Sequence, residues 1–366
     1  MSSIGGRLVI TGVSKSYGDV LALTPSSLQI EAGEFFSIIG PSGSGKTTLL
    51  GLIAGFVTPS SGRIEIDGVD VVRVPPYRRQ IGMVFQGYAL FPHMSVFENV
   101  AFPLRLRRFP EAEIRERVGR MLEMVRLSGA GGRAVSQLSG GQQQRIALAR
   151  AAIYDPRILL MDEPLGALDK NLREEMQYEI KQFHQRIRAT IVYVTHDQGE
   201  AASLSDRIAV MNHGRIVQVG QPRRLYDGPE SAFVASFLGE ANLLELDWVN
   251  PAGADLVEVG TRSGRTLRAV CETGSAATSE WLACVRSEAI RLAPGSGEAA
   301  AADNHIVGTV VDTMYGAGSI RYWVEVDPAT RIVVRETTRR QAGTVEPGCQ
   351  VSLTWSARDM ILIPRE

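Results

Sequence analysis

Hydrophobic and polar positions change their period along the chain. The early residues carry short β-prone blocks, Leu8-Val9-Ile10, Val20-Leu21-Ala22-Leu23 and Phe35-Phe36-Ser37-Ile38-Ile39. Turn-prone Tyr17-Gly18-Asp19 separates the first two. Thr48 to Ala54 reads as a helix, Thr58 to Gly62 as a turn, and Arg63 to Gly68 alternates like a strand. Ile81 to Phe85 reads as a further strand ending at Gln86. From about Gly87 to Asp155 the pattern is helical. It is clearest over Glu111–Leu127, where Ile114, Val118, Met121, Leu122 and Val125 recur on one face. Ile158-Leu159-Leu160-Met161 is a continuous apolar run, as for a strand buried on both faces, and Thr190 to Thr195 is another β-prone run. After about Gly239 alternation returns, in Leu244, Leu246, Trp248 and again in Ile320, Tyr322, Val324, Val326. Tyr315 to Ser319 reads as a turn, and Pro294 to Asp303 as a loop. These elements predict an α/β core with a helical insertion, followed by a small all-β barrel.

The strand at Phe35 runs into Gly40-Pro41-Ser42-Gly43-Ser44-Gly45-Lys46-Thr47, and Thr48 opens the helix. Strand, G-x-x-x-x-G-K-T loop and helix in that order cradle a nucleoside triphosphate. Glycines let the backbone turn its N–H groups on phosphate oxygens, and the helix adds its positive end. Lys46 supplies a mobile charge for the outer phosphates and the Thr47 hydroxyl can ligate Mg²⁺.

Other positions change meaning beside that loop. Tyr17 could stack on a purine or be a half-buried strand residue. Gln86, leaving a strand, could hydrogen-bond water or a metal's ligand shell, or be a plain loop residue. Ser139 and Gln142, in Leu138-Ser139-Gly140-Gly141-Gln142, have capping-box spacing. The adjacent glycines there also expose N–H groups at a helix start, a second anion half-site that makes sense if it completes a nucleotide site on another copy. Asp162 and Glu163 end a buried strand, where two carboxylates are costly without Mg²⁺ or water. His196 ends another.

Composition narrows the field. The 366 residues allow two domains, and the formal net charge of −1 gives no overall field for nucleic acid. The arginines between Arg105 and Arg120 are interspersed with acidic residues and read as a solvated face. Cys271, Cys284 and Cys349 form no C-x-x-C, so neither a disulfide framework nor a zinc site is expected and a reducing compartment fits. No signal pattern opens the chain and no apolar run reaches membrane-spanning length, so spanning parts are expected from other chains.

Gly40 to Thr47, Leu138 to Gln142, Ile158 to Glu163 and His196, in this order, resemble the ATP-binding cassette family of transport ATPases. The likeness covers roughly residues 7–235. It extends over the rest as the accessory domain of importer ATPases, of the oligonucleotide/oligosaccharide-binding type. Domains are accordingly expected at 1–238, with a helical subdomain at about 87–155, and at 239–366. The stretches Gln86 to Val96 and Phe233 to Leu244 look most like the polyamine branch, with ferric-iron and other small-solute importers close by.

The resemblance implies roles for matching residues. Tyr17 would stack on adenine; Gly40, Pro41, Ser42, Gly43, Ser44, Gly45, Lys46, Thr47 and Thr48 would hold the phosphates. Thr47, Asp162 and Gln86 would serve Mg²⁺. Glu163 would polarise the water, and His196 would contact the γ-phosphate. Ser139, Gly141 and Gln142 would cover the γ-phosphate held by the other copy, with Asp169 at the dimer interface. Two departures stand out: Gly166, where many relatives carry Ser, and Gly199, where an acidic residue is common. An interior glycine costs about 1 kcal/mol in a helix, so a looser helix is expected after His196.

The resemblance also implies partners: a homodimer, integral membrane permease subunits and, indirectly, an extracytoplasmic solute-binding protein. The chain would work at the cytoplasmic face of the inner membrane, docking a partner helix near Gln86 to Val100 through Tyr88 and Phe91. The rival is a soluble cassette ATPase acting on DNA or ribosomes, but no coiled-coil insertion, zinc motif or second cassette is visible. For the C-terminal domain, a dimerisation module and a ligand sensor both stay open.

Overall fold

β1 (Leu8–Tyr17) and β2 (Val20–Ile30) form an antiparallel pair turned at Gly18, where φ is 57°. In this computed structural model, residues 5–166, 168–253, 255–271, 281–296, 303–338 and 345–365 are described. β3 (Phe35–Ile39) is buried throughout and leads into α1 (Lys46–Ala54). β4 (Ser61–Ile66) returns to β1, and β5 (Val69–Asp70) completes a sheet ordered β2-β1-β4-β5. β6 (Ile81–Val84) precedes α2 (Val96–Leu106), α3 (Glu111–Met124) and α4 (Gly140–Ala152). Then come β7 (Ile158–Asp162), α5 (Lys170–Ile187), β8 (Thr190–Val194), α6 (Gln198–Leu204), β9 (Arg207–Asn212) and β10 (Arg215–Gly220).

The second sheet runs β10-β9-β3-β8-β7-β6, parallel except for β10. Its strands read as unbroken apolar runs because both faces are covered. Phe35, Leu159, Met161, Ile191 and Tyr193 belong to the core shared with α2 to α5. Phe36, Ile38, Ile158, Leu160, Val192 and Val194 belong to the core shared with α1. Parallel strands also put their carboxyl ends on one edge, where ligands of open α/β sheets bind. That edge carries the loop after β3, Asp162 at the end of β7 with Glu163 just beyond it, and Thr195 and His196 after β8.

In the helical region Ile114, Val118, Met121 and Leu122 are the buried face of α3, as their spacing requires, and Val125 follows as its C-cap. Gly199 falls in the first turn of α6, behind the Asp197 cap, rather than in a helix interior. The interior-glycine cost expected there does not carry over in full to this first-turn position.

Contacts divide the chain into two compact units, up to Arg223 and from Arg224 on. α7 (Pro222–Asp227) lies at that division and α8 (Ala232–Phe237) follows. The all-β part comprises β11 (Ala241–Pro251), β12 (Leu256–Thr261), β13 (Thr266–Val270), β14 (Trp281–Arg286), β15 (Arg291–Pro294), β16 (Asn304–Gly316), β17 (Ser319–Asp327), β18 (Thr330–Thr337), β19 (Gln350–Trp355) and β20 (Met360–Pro364). β11-β12-β13-β20-β14 close a barrel, the expected architecture, while β15-β19-β16-β17-β18 form a separate five-stranded sheet that alternation alone did not distinguish. β17 alternates as read, with Ile320, Tyr322, Val324 and Val326 buried. Trp248 does not continue the buried face of β11: a bulge after Leu246 turns it outward, and its indole covers Gly260, where a Cβ would meet Nε1 at 2.1 Å. Residues 297–302 of the expected loop lie outside the described residues.

Candidate active site

Glycine is required in the loop after β3 for two different reasons. At Gly40 a Cβ would meet the Met211 carbonyl oxygen at 2.2 Å. At Gly43 it would meet nothing within 4 Å, but φ is 77°, the left-handed region. Gly45, at φ 97°, ends the loop as the N-cap of α1, and no side chain caps that helix. Its first-turn amides are thus left for a ligand, beside the positive end of the helix dipole. Ser44 Oγ is buried without a partner among the described residues, a donor suited to a phosphate oxygen. Lys46 is buried and its ammonium donates to the carbonyls of Gly40 and Pro41, 2.9 Å each. Burial lowers the Lys46 pKa, and the nearby charges of Glu163 and Asp162 oppose that. This is a cradle for a polyanion.

Opposite the cradle, Asp162 is held above its ordinary pKa by burial and by Glu163, with Lys46 pulling it down. A carboxylate so placed gains from a cation, and Thr47, exposed at the start of α1, supplies a neutral oxygen of the kind Mg²⁺ takes. Glu163 sits at φ 43°, unusual for a side chain with a Cβ, and its N–H donates to the Val194 carbonyl at 2.9 Å. Such a conformation persists only where its surroundings hold it. Its Oε2 lies 3.2 Å from His196 Nδ1 and 3.5 Å from Gln86 Nε2. Three residues far apart in sequence thus meet on one oxygen.

Ser139 caps α4, and the capping box is complete: the Gln142 N–H donates to Ser139 Oγ, and the Ser139 N–H to Gln142 Oε1. Gly141 is buried against Leu172, where a Cβ would stand 3.0 Å from Cδ1. Among the described residues, no hydrogen bond or ion pair joins Ser139, Gly141 or Gln142 to the cradle or to Glu163. Asp169 caps α5 by accepting from the Leu172 N–H. Tyr17 ends β1 half exposed, with the Lys15 ammonium 4.9 Å from its ring centroid, which both a half-buried strand residue and a stacking platform allow.

The loop after Gln86 departs from expectation. Tyr88 is buried, and it cannot offer its ring to a partner as expected. Asn99 staples the next turns: its Oδ1 accepts from the Phe91 N–H and its Nδ2 donates to the Phe91, Met94 and Ser95 carbonyls. Phe91 is half-buried, while Phe85, just before Gln86, is exposed and stacked on Phe56 at 6.1 Å.

Several residues of the site's surroundings went unread in the sequence. Arg150, at the end of α4, donates to the carbonyls of Tyr88 and Ala89, tying the Ser139 helix to the Gln86 loop. Glu200 is buried and accepts from Tyr193 OH at 2.7 Å and Thr195 Oγ1 at 2.8 Å. Arg173 faces Glu200, Asp197 and the Leu168 carbonyl. An arginine in a helix reads as solvated unless its tertiary neighbours are known.

Comparison with known proteins agrees with this geometry. A family model described as ABC transporter matches residues 23–166, and one described as TOBE domain matches 283–363. The spermidine/putrescine import ATP-binding protein PotA of Rubrobacter xylanophilus is 46% identical, over 97% of this chain and 93% of that protein. The Fe(3+) ions import ATP-binding protein FbpC of Agrobacterium fabrum is 43% identical over 98% of each. A solved ATP-binding cassette, a dimer in a post-hydrolysis state bound to ADP and Pi, covers 59% of this chain and 99% of its own, with 35% identity and a TM-score of 0.53. Similarity of this reach, joined to the cradle and the residues around Glu163, makes the chain a member of the ABC transporter family, with an ATP-hydrolysing cassette followed by a TOBE domain.

Proposed function

We propose that two copies of this chain hydrolyse ATP at the cytoplasmic face of the inner membrane and drive polyamine uptake through separate membrane-spanning subunits. The observation that carries the hydrolytic part is the convergence of Gln86 and His196 on Glu163 Oε2. Phosphoryl transfer asks a protein for positioning and charge neutralisation more than for covalent chemistry. Residues Gly40 to Thr48 hold the phosphates and Tyr17 lies against adenine. Thr47, Asp162 and Gln86 would serve Mg²⁺, which when bound would neutralise charge on the phosphate oxygens. Glu163 places a water in line, and His196 donates toward the transferring group. Ser139, Gly141 and Gln142 of one copy close over the γ-phosphate of the other, Asp169 lies at the interface between them, and the site is complete only in the dimer.

Residues 1–238 serve as the ATPase, with 87–155 as helical subdomain, and 239–366 as an accessory module. No helix among the described residues is long and apolar enough to cross a membrane. Phe85 and Phe56, rather than Tyr88, offer a surface to such a partner. An extracytoplasmic binding protein selects the solute, so the chain itself touches none of it.

Polyamine is favoured by the relatives at 46% and 40% identity that are named for spermidine and putrescine. The iron-named relative, at 43%, falls between those two, and ferric iron is the second reading. Uptake of labelled putrescine, spermidine and ferric iron by cells with and without the chain decides between them. Loss of polyamine uptake alone supports the first reading, and loss of iron uptake alone overturns it.

A further inference from the structure

Arg173 joins two segments that flank the active site. Its Nη2 donates to the Leu168 carbonyl at 3.1 Å, in the segment that ends at the Asp169 cap. Its Nη1 lies 3.4 Å from Asp197 Oδ2, and its Nε 3.7 Å from Glu200 Oε1. Those carboxylates fix the residues on either side of His196. Asp197 caps α6 by accepting from the Glu200 N–H at 2.9 Å, and its own N–H donates to Thr195 Oγ1 at 3.0 Å. Thr195 Oγ1 in turn donates to the buried Glu200, which Tyr193 OH also holds. His196 itself is exposed, with Nδ1 reaching Glu163. A planar guanidinium can address a carbonyl and two carboxylates at once; a lysine ammonium cannot match that fork.

We infer that Arg173 is a positioning residue: it passes the approach of a second copy at Leu168 and Asp169 to the loop that aims His196 at Glu163. This rests on the composite-site reading above. If Leu168 shifts on dimer closure, its carbonyl carries the guanidinium with it. Asp197 and Glu200 then move or hold the backbone on both sides of His196. A residue serving only to staple α5 to α6 would support stability without singling out the chemical step.

The test is steady-state MgATP hydrolysis by the full chain as wild type, Arg173→Ala, Arg173→Lys, Asp197→Asn and the Arg173→Ala/Asp197→Asn double variant. Asn keeps the helix cap while removing the charge. Arg173→Ala is expected to lower kcat about tenfold, the scale of a lost charge-assisted hydrogen bond. KM for ATP should stay within about twofold, because the cradle is untouched. Arg173→Lys should recover part of kcat, and the double variant should be no worse than Arg173→Ala, since both act through one contact. An unchanged kcat, or losses that multiply in the double variant, overturns the inference. If Arg173→Ala does not fold, Arg173→Lys and Asp197→Asn decide it by the same kcat-against-KM comparison. ATP-dependent dimerisation of Glu163→Gln, measured alongside, separates the two levels. Failure there removes the composite site itself, whereas dimerisation with wild-type kcat in Arg173→Ala removes only the role of Arg173.

Discussion

His196 Nδ1 stands 3.2 Å from Glu163 Oε2, across a gap that β7 and β8 set by running side by side in parallel. The contact orients the carboxylate while leaving the imidazole exposed to a ligand. His196→Ala should therefore lower kcat by about 100-fold, the scale of losing one preorganised donor. Nucleotide affinity should change little. Turnover and equilibrium binding of a fluorescent ATP analogue check both.

Asp162 carries a stability cost for its position. Burial and Glu163 hold its carboxyl above the ordinary 3.8, against the pull of Lys46. Between the unfolded value and the raised one, the native state binds more protons than the unfolded state. Unfolding free energy therefore falls as pH rises through that window: the contribution is present below 3.8 and lost above the raised value. Asp162→Asn removes the effect. In metal-free buffer its melting temperature should exceed that of wild type by about 2 °C or more at neutral pH, the gap closing toward acid. Its Mg²⁺-dependent turnover should be lost.

Tyr88 is buried with a hydroxyl that has no partner among the described residues. A buried unsatisfied hydroxyl is costly, so Tyr88→Phe should stabilise the protein by about 1 kcal/mol. Denaturant melts measure this, and ATPase activity should be retained.

The cradle was legible because its chemistry is local: glycines, lysine and threonine act through neighbouring backbone. The strand ends carrying Glu163 and His196 were legible because a continuous apolar run marks a strand buried on both faces. Tyr88 was misread because a loop aromatic shows no period, and its burial depends on α2 and α4. Gly199 was misread by one helical turn, the distance between an interior and a cap. The separate β15–β19 sheet was hidden because alternation reports a half-buried strand without its neighbours. Arg150 and Arg173 were invisible for the same reason: each is defined by carbonyls and carboxylates distant in sequence.

Arg286 in β14 makes a comparable contact in the second unit. It donates to the Ala235 and Tyr226 carbonyls and lies 4.1 Å from the Tyr226 ring centroid. With Ala235 packed against Leu282, Cys284 and Ile363, this binds α8 to the barrel. Arg286→Lys should cost about 2 kcal/mol, because one ammonium cannot reproduce the fork and the ring contact. Thermal unfolding of the full chain reads the loss, and ATP binding should be unaffected.

The central claim is that one copy's Ser139 segment completes the other copy's nucleotide site. The most direct measurement is the dimer dissociation constant of Glu163→Gln by sedimentation, with and without MgATP, alongside its turnover. ATP should tighten the dimer at least about tenfold, a coupling within the usual range between linked binding events. Hydrolysis should be nearly abolished, and Ser139→Arg in the same background should erase the tightening. A dissociation constant indifferent to ATP, or turnover at the wild-type rate, would contradict it.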